Sequence, residues 1–175
     1  MDMKYKAFIA LLVLQLARTL LVAAQDLPEP PSDEEFSMIK QEAIGELHYG
    51  MSRTDALKYV AAKPQFDKIM DEPGAVSQIV EFVEAGIQLE LISDEITSPQ
   101  RVNFISVAAP CALKTKKGIH IGSSEAEVVA AYKEHRDAEA SEAGKFFVAG
   151  SDYDGLMFSI ENGKVVRIFI GSIVN

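Results

Sequence analysis

The sequence predicts an α+β chain of two tandem helix-plus-antiparallel-sheet repeats, with the helices packed on one sheet face. Three observations predict it. A short motif around His48 and Gly50 recurs around His120 and Gly122, 72 positions later. Each copy is followed by apolar-polar alternating runs of strand type. Asn162-Gly163 stands between two such runs near the end, a strong short-range hairpin signal.

The chain begins with an export-type pattern over 1–24. Lys4 and Lys6 precede an apolar run over 7–14, and Val22-Ala23-Ala24 forms a small-residue stretch before Gln25. Gln15 and Arg18 interrupt the apolar part, so a membrane-spanning helix is not expected there or in the mature chain. The reading places the mature protein in the periplasm or outside the cell. The 25–43 stretch opens as an acidic, proline-rich linker, QDLPEPPSDEE, and ends in a short helix somewhere within 36–45. Repeat 1 is assigned to 44–110 and repeat 2 to 111–175.

Within the repeated motif, Leu47-His48-Tyr49-Gly50-Met51-Ser52 leads to Asp55, and Ile119-His120-Ile121-Gly122-Ser123-Ser124 leads to Glu127. The serine-to-acid spacing is that of a capping box: the hydroxyl accepts from a free helical N–H and the acid reaches back. Aspartate is the weaker fit for that reach. Gly50 and Gly122 precede the serines by two residues and supply a positive φ for a sharp turn. Helices are expected over 53–62 and 125–134, the first limited by Pro64. Strands are expected over 76–83, 86–92, 102–107, 146–149, 156–160 and 165–173, with 111–115 a joining strand. The charged 134–142 run reads as a continuation of the second helix or an exposed loop.

In the final hairpin, Leu156, Phe158, Ile160, Val166, Ile168 and Ile170 read as core. Met157, Ser159, Val165, Arg167 and Phe169 form the opposite, mixed set, the candidate protein-binding face.

The stretch 47–52, with Asp55, Leu57 and Pro64, resembles the helix start of the small outer-membrane lipoprotein A family. The tandem arrangement resembles that of β-lactamase inhibitory protein. These resemblances cover 44–175 and imply a helix-plus-sheet fold that meets another protein through an open sheet. No lipid-accepting cysteine stands after the export pattern, and the second unit has no helix-ending proline.

Lys+Arg is 17 against Asp+Glu 26, a net charge of −9, which disfavours nucleic acid as a partner. One cysteine, Cys111, excludes an internal disulfide framework, and reads as a small buried hydrophobe. No nucleophile elbow, His-Glu-x-x-His or Walker pattern is present, so a non-enzymatic protein without cofactors or metal is expected. Its partner is expected to be another envelope or extracellular protein. The alternative is a small envelope metal-binding protein or enzyme using His48 and His120, with His135 as a third ligand. Asp152-Tyr153-Asp154-Gly155 reads as a loop rather than a calcium site.

Overall fold

The computed structural model describes residues 37–67, 69–72, 75–151 and 154–171. Among these, nine strands form one continuous antiparallel sheet. They are β1 (Gln65–Phe66), β2 (Met70–Glu72), β3 (Ala75–Phe82), β4 (Ile87–Ser93), β5 (Arg101–Ala108), β6 (Arg136–Glu142), β7 (Phe146–Gly150), β8 (Gly155–Glu161) and β9 (Lys164–Gly171). The order is β1-β3-β4-β5-β9-β8-β7-β6, with β2 also paired to β3. The helices are short: α1 (Met38–Gln41), α2 (Arg53–Tyr59) and α3 (Glu125–Tyr132).

This overturns the expected fold class. The molecule is mostly a nine-stranded sheet with a few short helices, and not two helix-plus-sheet repeats. The decisive contact joins β5 to β9, with Ile105 opposite Ile170, Ser106 opposite Phe169, Val107 opposite Ile168 and Ala108 opposite Arg167. Alternation reveals that each segment is a strand. It does not reveal which distant strand lies beside it, because several strands here carry the same alternation and a period of two does not name the partner. Helices of seven and eight residues cover only part of such a sheet.

The segment 111–115 is not a strand. It runs as irregular chain after the turn at Ala109-Pro110, and its Thr115 makes an isolated bridge with Ile44. The charged 134–142 run is also corrected. After a 3-10 turn at Lys133–His135 it becomes edge strand β6, paired to β7. Its charges suit an outermost strand, where they discourage pairing with another chain.

The core lies on one sheet face. Val80, Phe82, Leu89, Leu91, Ile105, Val107, Phe147, Leu156, Phe158, Ile168 and Ile170 point into it, and Ile44, Leu47, Ala56, Val128 and Tyr132 close it from above. The α1, α2 and α3 helices contact β8, β5 and β7 respectively. Tyr132 and Phe158 form a tilted ring pair at 5.2 Å between centroids.

One core assignment is reversed. Val165 is 1% exposed and belongs to the core, while Val166 is half-buried. Ser159 faces Arg167 and Ile160 faces Val165, so Val166 is the extra residue of a β-bulge. The bulge shifts the alternation by one, and a strict period-two reading then swaps the faces.

Val165→Ala is expected to lower unfolding stability by about 2 kcal/mol, and Val166→Ala by less than about 0.5 kcal/mol, in urea denaturation. The opposite ranking would place the bulge elsewhere.

Candidate protein-docking face

Register across the sheet defines the face turned away from the core. Glu81 pairs with Gln88, Gln88 with Ser106, Ser106 with Phe169, Phe169 with Met157, Met157 with Val148, and Val148 with Asp137. These residues form one row across seven strands. A second row runs from Ala108 through Arg167 and Ser159 to Phe146 and Glu142. Glu90 and Phe104 begin a third.

The centre of this face is apolar. Phe104 and Phe169 lie 5.3 Å apart at an interplanar angle of 37°, a tilted pair across the β5–β9 seam. A Cβ at Gly171 would stand 2.6 Å from Phe104 Cβ and 3.0 Å from the Phe169 ring, so the bare backbone makes room for both rings. Phe104, Phe146, Met157 and Phe169 are all half-buried, each leaving part of its side chain at the surface. Two polar ties stiffen the flank: Gln88 Nε2 donates to Glu81 Oε1 at 2.8 Å, and Asn103 Nδ2 to Glu90 Oε2 at 2.6 Å. Arg167 is exposed, and its side chain has no hydrogen bond or ion pair among the described residues.

Four of the five residues read as a binding face, Met157, Ser159, Arg167 and Phe169, share this surface. Val165 does not, because the bulge turns it into the core. Sequence reasoning missed Phe104, Ser106, Gln88, Glu81 and Glu90. The alternation of β4 and β5 carried a signal for them. A second bulge at Asn103, where Glu90 pairs with Phe104 and Leu91 with Val102, obscured the phase in β5.

The cap residues sit at two turns of similar construction. Gly50 has φ +75° and Gly122 φ +92°, both in the region that favours glycine. Gly50 N–H donates to Val102 O, and Gly122 N–H to Val165 O, at 2.8 Å each. Ser52 Oγ accepts from Asp55 N at 3.1 Å and donates to Asp55 Oδ2 at 2.6 Å. Ser124 and Glu127 form the full reciprocal box: Ser124 N donates to Glu127 Oε2 at 2.7 Å, and Glu127 N to Ser124 Oγ at 3.3 Å. The shorter aspartate makes no such return bond to the Ser52 N–H.

The histidines are not drawn into a shared site by their contacts. His48 Nδ1 lies 2.9 Å from Tyr49 O and His120 Nδ1 2.8 Å from Ile121 O, each on the next residue along the chain. Among the described residues, no group of three His, Cys, Asp or Glu side chains is arranged to hold a metal ion. Asp152 and Tyr153 lie outside the described residues. Asp154 Oδ1 accepts from Ile39 N at 3.0 Å and ties the start of α1 to the β7–β8 turn. Cys111 is free and buried, and burial pushes its thiol above the ordinary range.

A buried polar cluster lies on the core side. Tyr132 donates its phenolic proton to Glu42 Oε2 at 2.6 Å and lies 2.9 Å from Thr115 Oγ1. Glu42 also accepts from Ala43 N and Lys116 N. Burial, then the Glu42 bond, holds the Tyr132 hydroxyl far above the ordinary tyrosine range. The group is therefore a fixed donor, holding the segment before Ile44, the Thr115 turn and α3 together.

No family model, curated protein or solved structure matches the chain.

Glu127 titrates below the usual glutamate range, because first the Ser124 side chain and then its backbone N–H bond the carboxylate. A lowered folded value means that this cap stabilises the fold above the ordinary glutamate range and ceases to as pH falls through the folded value. NMR titration is expected to find the Glu127 midpoint low in the native protein and raised toward the ordinary value in Ser124→Ala. An unchanged midpoint would show that the cap does not hold the carboxylate.

Proposed function

We propose that this chain is an exported, non-enzymatic protein-binding module that docks an envelope or extracellular protein on its open sheet face. The observation that carries the reading is the Phe104–Phe169 pair with Met157 and Phe146. Together they form a partly exposed apolar patch on the face opposite the short helices. An apolar centre of this kind, rich in aromatic residues and Met and ringed by polar groups, is the composition of an interface centre. Export rests on the pattern over 1–24.

Charge sets the kind of partner. Glu81, Glu90, Asp137 and Glu142 border the patch, against Arg167 and a Lys145 already paired to Glu142 at 2.6 Å. The border is acidic on a chain of net charge −9. It fits a folded protein that presents an apolar patch within a basic rim, with one acidic group for Arg167. Such complementarity steers encounter and weakens with salt.

The test is capture from envelope extract by purified protein, with affinity then measured on the captured partner. Phe169→Ala and Phe104→Ala are expected to weaken binding by roughly tenfold or more each, as central aromatic anchors do. Arg167→Ala is expected to weaken it less, and Lys133→Ala, at the end of α3, to leave it unchanged. Melting curves check that each variant is folded. Unchanged affinity in both phenylalanine variants would remove this face as the site.

A further inference from the structure

A second site lies away from the aromatic patch, at the sheet end where the Gly50 turn meets the β4–β5 loop. There lies a cavity of about 450 Å³ whose lining includes Tyr49, Ser93, Asp94, Ser98, Pro99 and Arg101 together with aliphatic groups. Small-molecule clefts fall in the range of about 300–1,000 Å³. We infer that this cavity binds a neutral saccharide ring.

The lining gives the ligand its class. Tyr49 is 37% exposed, a large side chain left at the surface rather than packed in the core. An aromatic face carries negative charge density, which attracts the polarised C–H groups on one side of a pyranose. Around it stand groups that match ring hydroxyls. Asp94 offers acceptor oxygens, and neither it, the Tyr49 hydroxyl nor the Ser98 hydroxyl has a hydrogen-bond partner among the described residues. Arg101 spends Nη1 on Gly50 O at 3.2 Å and keeps its other donors. Ser93 Oγ donates to Glu95 O at 2.8 Å, which orients its lone pairs for accepting.

The charge balance argues against an ionic ligand. One carboxylate and one guanidinium line the cavity, and their charges cancel. A ligand of either sign would meet its opposite and its like together. A neutral polyol uses both: its hydroxyls donate to Asp94 and accept from Arg101. The site is also held in shape from beneath. The Gly50 N–H donates to Val102 O and Val102 N–H to Met51 O, which pins the turn to β5. Ser98 N–H donates to Glu95 O and closes the loop. A cavity already formed loses less on binding than one that must be ordered.

The experiment is an NMR titration of the isotope-labelled full chain with D-glucose, N-acetyl-D-glucosamine and maltose, each to about 50 mM, well above millimolar dissociation constants. At least one is expected to give saturable shifts confined to the amides of 48–50, 93–98 and 101–102. Tyr49→Ala and Asp94→Asn, both at exposed positions, are each expected to raise the dissociation constant about tenfold or more with the rest of the spectrum unchanged. Absence of saturable shifts with all three sugars would overturn the inference. So would full retention of binding in both variants, or binding of glycine as tight as that of any sugar, which would show that the lining reads paired charges and not ring hydroxyls. None of these results depends on the docking face, which the Phe104 and Phe169 variants test separately.

Discussion

The pairing of β5 with β9 is the constraint on which the rest of the structure depends. Four residue pairs, from Ile105–Ile170 to Ala108–Arg167, join the β3–β5 block to the β7–β9 block. On one side of that seam, Ile105, Val107, Ile168 and Ile170 meet inside a single core. On the other, Phe104 and Phe169 make their ring contact. Without the seam, two strand edges would stand open and the core would divide into units too small to hold themselves together well. The apolar patch is a product of the same pairing, since neither block alone contains both rings.

The layer above the core is fixed by polar contacts as much as by burial. Tyr132 reaches from α3 to Glu42 and Thr115, which lie far from it in sequence. Glu42, only 3% exposed, receives three hydrogen bonds, so its buried oxygens are matched to donors. Arg53 acts similarly at the other end. Its guanidinium donates to Gln78 Oε1 at 2.9 Å and to Gln100, and lies over the Phe66 ring at 5.2 Å. Gln78 in turn donates to Asp67 O, so the α2 start, β3 and the β1 strap are held as one. Short helices contribute little from propensity alone, and these contacts supply what length does not.

Much of the local structure was legible. The Asn162-Gly163 hairpin pairs Glu161 with Lys164, as that dipeptide implies, and Asn162 takes a positive φ of 50°. The two serine caps were written in their spacing, because each is satisfied within four residues. Strands β3, β4, β7 and β8 fall close to the expected bounds. The features that escaped notice were set by distance or by a single inserted residue. Strand β6 reads as a continuation of the second helix or an exposed loop, because an edge strand needs no apolar face. Val165 and Val166 are chemically identical, and only the partner strand decides which is turned inward. The β5–β9 seam, and with it half of the aromatic patch, depends on residues 59 to 65 positions apart. The cavity beside Tyr49 draws on the Gly50 turn and the β4–β5 loop, which no local pattern links.

Native-state hydrogen exchange tests the seam most directly. Amides of Leu89 in β4, Ile105 and Val107 in β5, Ile168 and Ile170 in β9 and Phe158 in β8 are expected to share one highest opening free energy, equal to that of global unfolding. Exchange of the β3–β5 block at a clearly lower free energy than the β7–β9 block, with Ile105 and Ile170 dividing between them, would show two separable units and contradict the account.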